Sequence, residues 1–223
     1  MSIVAIDLGS ARRRSRDVVQ CLLDEMDRLV RDYHPDCGRT GRNVDELIDG
    51  TAVFPGGSGL WRGPAFHGPL PELFPEGSIM FVAHNFDSID AYKRAKIRGG
   101  ETQSIFWQRL LDYLKSANIH PDRCFFTNAL AGLKPGSATG PMPTVDGYRE
   151  QCQQFLVRQV DIVKPFRIVA LGGRAEGEVR RAKGGVPFIR ILHPSAWELR
   201  PRDTRSQRTS SEGQRIAHFL AGS

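Results

Sequence analysis

Ile79-Met80-Phe81-Val82-Ala83 runs directly into His84-Asn85-Phe86-Asp87-Ser88, and how that break is read decides the fold. An unbroken apolar run with branched and aromatic side chains has no polar face to offer water, so it fits a strand buried on both sides. The polar residues after it suit the loop a strand makes as it leaves its sheet. Three more such runs follow at Cys124 to Thr127, Arg167 to Leu171 and Phe188 to Leu192. Between them the apolar spacing turns helical, at Gln103 to Ala117, Asp146 to Val163 and Arg174 to Ala182, with a last helix near Ser211 to Leu220. Alternation of this kind predicts an α/β fold: a three-layer α/β/α protein with a central, mainly parallel four-stranded sheet.

Upstream, Val19, Leu22, Leu23, Met26, Leu29, Val30 and Tyr33 recur at helical spacing, so Ala11 to Tyr33 reads as an amphipathic helix. The preceding Arg12-Arg13-Arg14 is read as its solvated end. Glycine and proline dominate from Gly50 to Gly77, including Pro55-Gly56-Gly57-Ser58-Gly59, which reads as turns over an irregular surface segment without a linker. At 223 residues and 40% hydrophobic content the chain can bury one substantial core, and residues 1–223 are read as a single domain with an N-terminal helical part over 1–50. No stretch approaches the roughly 18 consecutive apolar residues of a membrane span, and no signal peptide leads the chain, so a cytoplasmic monomer without a membrane partner is expected. Cys21, Cys37, Cys124 and Cys152 are scattered without a CxxC pair, which argues for free thiols and against a disulfide scaffold or zinc site. The net charge of +6, carried mostly by arginine, favours a polyanionic partner.

In parallel sheets ligands bind beyond the carboxyl ends of the strands. The residues there are His84 to Ser88, Asn128, Gly172-Gly173 and His193-Pro194-Ser195. Any one of these segments is explained by capping and turning. Hydrogen-bonding residue types at several strand ends together are a functional signal.

These segments also resemble a known family. A polar loop after the first strand, then Cys124-Phe125-Phe126-Thr127-Asn128, Cys152 to Gln159 leading through Lys164-Pro165 to Ile168-Val169-Ala170-Leu171-Gly172, and His193-Pro194-Ser195 follow the order of motifs in the uracil-DNA glycosylase superfamily. The likeness covers Ile79 to Trp197 and is closest to the branch related to the bacterial iron-sulfur enzymes. Within it the chain looks most like a group with an Arg-Gly-Gly-Glu stretch, here Arg98 to Glu101.

The resemblance implies a DNA glycosylase that hydrolyses the N-glycosidic bond of uracil or a related deaminated or damaged base, with DNA as partner. Such cleavage builds positive charge on the sugar and negative charge on the departing base. It implies Asn85 as the group that positions water, with Asp87 as the nearest carboxylate, and His193 as the donor that stabilises charge on the base. It implies Asn128 as the reader of the base edge and Ser195 as a phosphate contact. Phe86 is a candidate stacking partner, with Phe106 or Trp107 as alternatives. Arg200, Arg202 and Arg205 lie in an arginine-rich stretch that would face DNA in such enzymes, though Arg200 to Arg208 reads most simply as a solvated loop. Asn85, Asn128 and His193 are expected around one cleft, and His193 at the opposite sheet edge from Asn128 would count against the resemblance.

The departures carry information too. Where those relatives have Gly-Glu-Ala-Pro-Gly this chain has Ala83-His84-Asn85-Phe86-Asp87. Only Cys152 matches their four cluster cysteines, and one thiolate cannot hold a cluster that needs four, so no iron-sulfur centre, other metal or cofactor is expected. Ile3 to Gly9 looks like the first strand of an actin-like ATPase, but the glycine-rich phosphate loops that should follow are missing. Gly56-Gly57-Ser58-Gly59 lacks the Gly-Lys-Ser/Thr of a P-loop. Two functional classes stand, a base-releasing glycosylase and a catalytically silent nucleic-acid or nucleotide-binding module of the same fold, with a small-molecule nucleotide hydrolase as a third behind them.

Overall fold

A computed structural model describes residues 12–30, 47, 51–64, 67–86, 88–98, 104–134, 147–196, 199 and 202–222. Helix α1 (Ser15–Val30) precedes strand β1 (Ile79–Asn85), α2 (Ile89–Arg98) and α3 (Ile105–Ser116). Then come β2 (Cys124–Leu130), α4 (Tyr148–Val163), β3 (Arg167–Leu171), α5 (Gly173–Ala182), β4 (Phe188–Ile191) and α6 (Arg202–Leu220). The four strands form one parallel sheet in the order β2-β1-β3-β4. The expected α/β fold with a central parallel sheet is therefore present.

Register and alternation explain the layers. Met80 pairs with Phe125 and Ile168, and Phe81 with Phe126 and Val169, so neighbouring strands present matching residues to the same face. Met80, Val82, Phe125, Ile168 and Ala170 pack against buried residues of α1, α4 and α5. Ile79, Phe81, Ala83, Phe126, Val169 and Leu171 pack against α3 and Ile216 of α6. Both faces of the sheet are covered, which is why the strand sequences carry no polar alternation.

Three sequence expectations need correction. The glycine-rich segment is irregular but not superficial, because residues 51–61 are all buried. It lies along the open edge of β2: Phe54 N–H donates to Phe126 O (2.9 Å), and Phe126 N–H donates to Gly59 O (2.8 Å). An outer strand needs such a cover for its unpaired backbone groups. Its glycines are the condition for that approach, since a Cβ on Gly57 would sit 2.1 Å from Thr51 O and one on Gly59, at φ +81°, 2.1 Å from the Phe125 ring.

The second correction concerns Arg13, which is not a solvated helix end. Its guanidinium donates to Ile162 O and, at 3.1 Å, to Val163 O, and lies over the Phe74 ring. It satisfies carbonyls that the last turn of α4 leaves open.

The third concerns the arginine-rich stretch. Most of it is not a loop, because α6 begins at Arg202 rather than near Ser211. This helix buries Thr209 and Glu212 as well as Ile216, and at Gly213 it comes so close to α3 that a Cβ would lie 2.4 Å from Ser116 Cβ. Its first half has almost no apolar residue from which periodicity can be read.

Helix α2 is a further element that the apolar spacing does not announce. Ser88 Oγ accepts from Ala91 N–H at its start (3.2 Å), and Tyr92 packs with Leu133 and Phe86. No described helix is long and apolar enough to cross a membrane.

Candidate active site

A cavity of about 580 Å³ opens at the carboxyl ends of the strands. That size lies within the usual range for small-molecule sites. Strands β1 and β2 run two to three residues further than the sequence suggests, so Asn85 and Asn128 are the last polar residues of the sheet rather than loop residues. Asn128 stands beside Ala83 in register, two residues before Asn85.

Asn85, Asn128, His193, Phe86 and Ser195 all line this one cavity. One expectation fails, and it is the one set against the family resemblance: Asn128 is on β2 and His193 follows β4, the two outer strands, so they leave from opposite sheet edges. They share the cavity because the segment after β4 folds back over the end of β3. A Cβ on Gly172, at φ +87°, would lie 3.2 Å from His193 Cβ, so glycine is what lets the two segments meet.

The His193 turn is held on several sides. Arg109, buried on α3, donates to Pro194 O (2.8 Å) and Leu199 O (3.2 Å). Arg205 of α6 also donates to Leu199 O (2.9 Å), so this arginine ties its helix to the turn. Glu212 accepts from Leu192 N–H (3.0 Å) and is itself paired with Arg215 (2.8 Å). Within the turn, Ser195 N–H donates to His193 Nδ1 (3.1 Å).

That last bond fixes the chemistry of the ring. A backbone amide can only donate, so Nδ1 accepts and the proton of the neutral imidazole sits on Nε2. Burial, and then the nearby His84, pushes the His193 pKa down to about 4. The ring is neutral at physiological pH and retains one donor. Its centre lies 5.5 Å from that of the Phe106 ring, tilted by 42°, and Phe106 also lines the cavity.

Asn128 is 2% exposed, and its Nδ2 has no hydrogen-bond partner among the described residues. A buried, unused amide donor is costly unless a ligand or water meets it. Asn85 Oδ1 lies 3.1 Å from His84 Nδ1, so with a proton on Nδ1 the ring donates to the amide oxygen. Burial lowers the His84 pKa, the bond to Asn85 opposes this, and the Arg174 charge lowers it further.

Phe86 meets Tyr92 edge-on at 5.8 Å, and its ring occupies the space a Cβ on Gly56 would need, while part of it faces the cavity. Trp107 does not line the cavity. It is fully buried against Trp61, Phe106 and Phe126, which removes it as a stacking candidate.

Asp87, Arg200 and most of the Arg98 to Glu101 stretch lie outside the described residues, as does the side chain of Arg202. Cys152 is buried on α4, where burial raises its thiol pKa and keeps it protonated. Among the described residues no three His, Cys, Asp or Glu side chains gather as a metal site.

No protein-family model and no curated protein matches the chain. Sequence reasoning gave no role to His84, Ser104, Lys134 or Arg174, all of which line the cavity. Arg174 was within reach of the strand-end rule, since it follows Gly172-Gly173. Lys134 was not, because it stands four residues past the end of β2, where an isolated backbone bridge to Ser88 holds it, and no local pattern marks that pairing.

Proposed function

We propose that the chain is a DNA glycosylase of the uracil-DNA glycosylase type, hydrolysing the N-glycosidic bond of a deaminated or damaged base flipped into this cavity. The observation that carries the reading is the pairing of two donors in one site: the neutral His193, with its proton on Nε2, and the unpartnered Nδ2 of Asn128.

Glycosidic cleavage leaves charge on the base oxygens, and fixed donors in a water-poor site stabilise that charge without reorganising. A neutral histidine suits this role better than a charged one, since it donates without giving up its proton to the leaving base. Asn128 would read the base edge through its amide. Asn85, with its oxygen oriented by His84, would hold the water that attacks the sugar carbon, and Phe86 or Phe106 would stack on the flipped base.

The test is release of free base from uracil-, hypoxanthine- or xanthine-containing oligonucleotides by the full chain. Base release by wild type that falls about a hundredfold in Asn85→Ala and in His193→Ala, with DNA binding kept, supports the reading. Wild-type protein that frees no base and binds such DNA no better than undamaged DNA overturns it.

A further inference from the structure

The two outer strands of the sheet are closed in different ways. Beside β2 runs the backbone of residues 51–61, which takes up both backbone groups of Phe126. No described strand runs along the far side of β4. Its sequence, Phe188-Ile189-Arg190-Ile191-Leu192, is of the branched and aromatic kind that pairs readily, so an open edge here invites another strand.

The bonds to β3 show which groups face outward. Ile168 N–H donates to Pro187 O (3.0 Å) and Gly172 N–H to Ile191 O (2.9 Å), so Pro187, Ile189 and Ile191 turn their backbone groups toward β3. In a parallel ladder the alternate residues, Phe188, Arg190 and Leu192, point theirs away from it.

Two of those outward groups are taken by helix α6. Arg190 O accepts from Arg215 Nη2 (2.9 Å), and Leu192 N–H donates to Glu212 Oε2 (3.0 Å). Arg215 Nη1 donates in turn to the two Glu212 oxygens, at 3.0 and 2.8 Å. A residue of a further parallel strand, lying beside Ile191, would donate its N–H to Arg190 O and accept from Leu192 N–H. The ion pair makes the same two bonds from a helix. It leaves Phe188 and the Arg190 N–H open, which is less than the roughly five or six residues over which strands usually pair.

We infer that the Glu212–Arg215 pair of α6 stands in for a fifth strand and closes the β4 edge against pairing with a second copy of this chain. The second copy is the occupant because two β4 edges are self-complementary: about a two-fold axis each supplies the donors and acceptors that the other lacks. Ile189 and Phe219 line a cavity of about 420 Å³ together with Arg215, so apolar cover for an added strand lies beside the same edge. This closure is independent of what the strand-end cavity binds.

Two measurements on the full chain test it. Amide hydrogen exchange of wild type should show Leu192 N–H protected, although it lies outside the β3–β4 ladder, and Arg190 N–H exchanging freely. Leu192 exchanging as fast as Arg190 would overturn the closure, whatever the variants do. Sedimentation velocity then compares wild type with Arg215→Met, which strips Arg190 O of its donor and unpairs Glu212. Wild type should keep one size as concentration rises. The variant should self-associate about tenfold or more tightly, the scale of one or two edge hydrogen bonds regained between copies, and its Arg190 N–H should become protected.

Arg190→Pro added to Arg215→Met should restore the wild-type size, because proline deletes an outward N–H and leaves the bonds to β3 in place. A folded Arg215→Met protein that sediments like wild type at every concentration overturns the inference. So does an association that survives Arg190→Pro, since it would run through another surface.

Discussion

The two polar ends that face each other across the cavity are built in opposite ways. The His193 turn is bolted: Arg109 and Arg205 hold its carbonyls, Glu212 holds the amide of Leu192, and Ser195 N–H fixes the ring nitrogen. The β1 end carries a local bond instead, between the side chains of the adjacent residues His84 and Asn85. A donor for developing charge works through being immobile, because reorganisation during the reaction costs what preorganisation saves. A group that holds water tolerates more freedom. The asymmetry is what the two assigned roles would require, and it can be broken from either side.

The largest effect is expected at the bolted end. His193→Ala should lower base-release turnover about a hundredfold to a thousandfold, the scale seen when one preorganised donor is removed, with little change in DNA affinity. Single-turnover kinetics beside a binding titration separate the two quantities. A variant that loses affinity and keeps its rate would move the ring from the chemistry to binding.

Much of this frame was legible because burial leaves a mark on sequence. Strands covered on both faces must be apolar throughout, and Ile79 to Ala83 and Arg167 to Leu171 show it. The strand-end rule then led to Asn85, Asn128 and His193, which share one cavity. What stayed hidden was structure held by backbone and polar contacts. Residues 51–61 look like a surface loop because glycine and proline mark turns whether or not a sheet edge lies beside them. Helix α6 packs its earlier turns through Thr209, Glu212 and Gly213, so its apolar stripe begins only at Ile216. Arg109 is buried on α3 to serve carbonyls distant in sequence, and no local pattern announces such a partner.

Removing that bolt tests whether the turn's rigidity matters apart from the ring. Arg109→Leu leaves Pro194 O without its donor, whereas Leu199 O keeps Arg205. A buried carbonyl stripped of its partner costs about 1 to 3 kcal/mol, to be read by urea denaturation. Turnover should fall beyond what lost folded protein explains, because His193 would no longer be held. Unchanged turnover per folded molecule would show that the turn holds its shape without the clamp.

The pH dependence of stability reports on the same ring. As pH falls below the ordinary histidine value of 6.5, unfolded chains take up a proton at His193 while the folded protein resists until about 4. The unfolded state then binds more protons, so stability falls as pH is lowered through this window and levels off beneath it. His84, also lowered, adds in the same direction. The stability advantage of wild type over His193→Gln should shrink from pH 7 to pH 4, and base release should show no step near 6.5, since the folded ring stays neutral. A step there would mean that the ring titrates as though in water.

The smallest effect is expected at the β1 end. His84→Phe removes one partner of Asn85 Oδ1 and loosens the amide. A hydrogen bond of this kind is worth about 0.5 to 1.5 kcal/mol, so turnover should fall roughly twofold to tenfold, mainly in kcat. Because His84 also lines the cavity, the single variant does not say whether it acts through Asn85 or on the substrate. The double variant does. If His84 is a positioning residue, His84→Phe added to Asn85→Ala should cost almost nothing further, since residues acting through one bond are not additive. If the full cost of His84→Phe persists in the Asn85→Ala background, His84 touches the substrate itself, and the two ends of the cavity are more alike than their supports suggest.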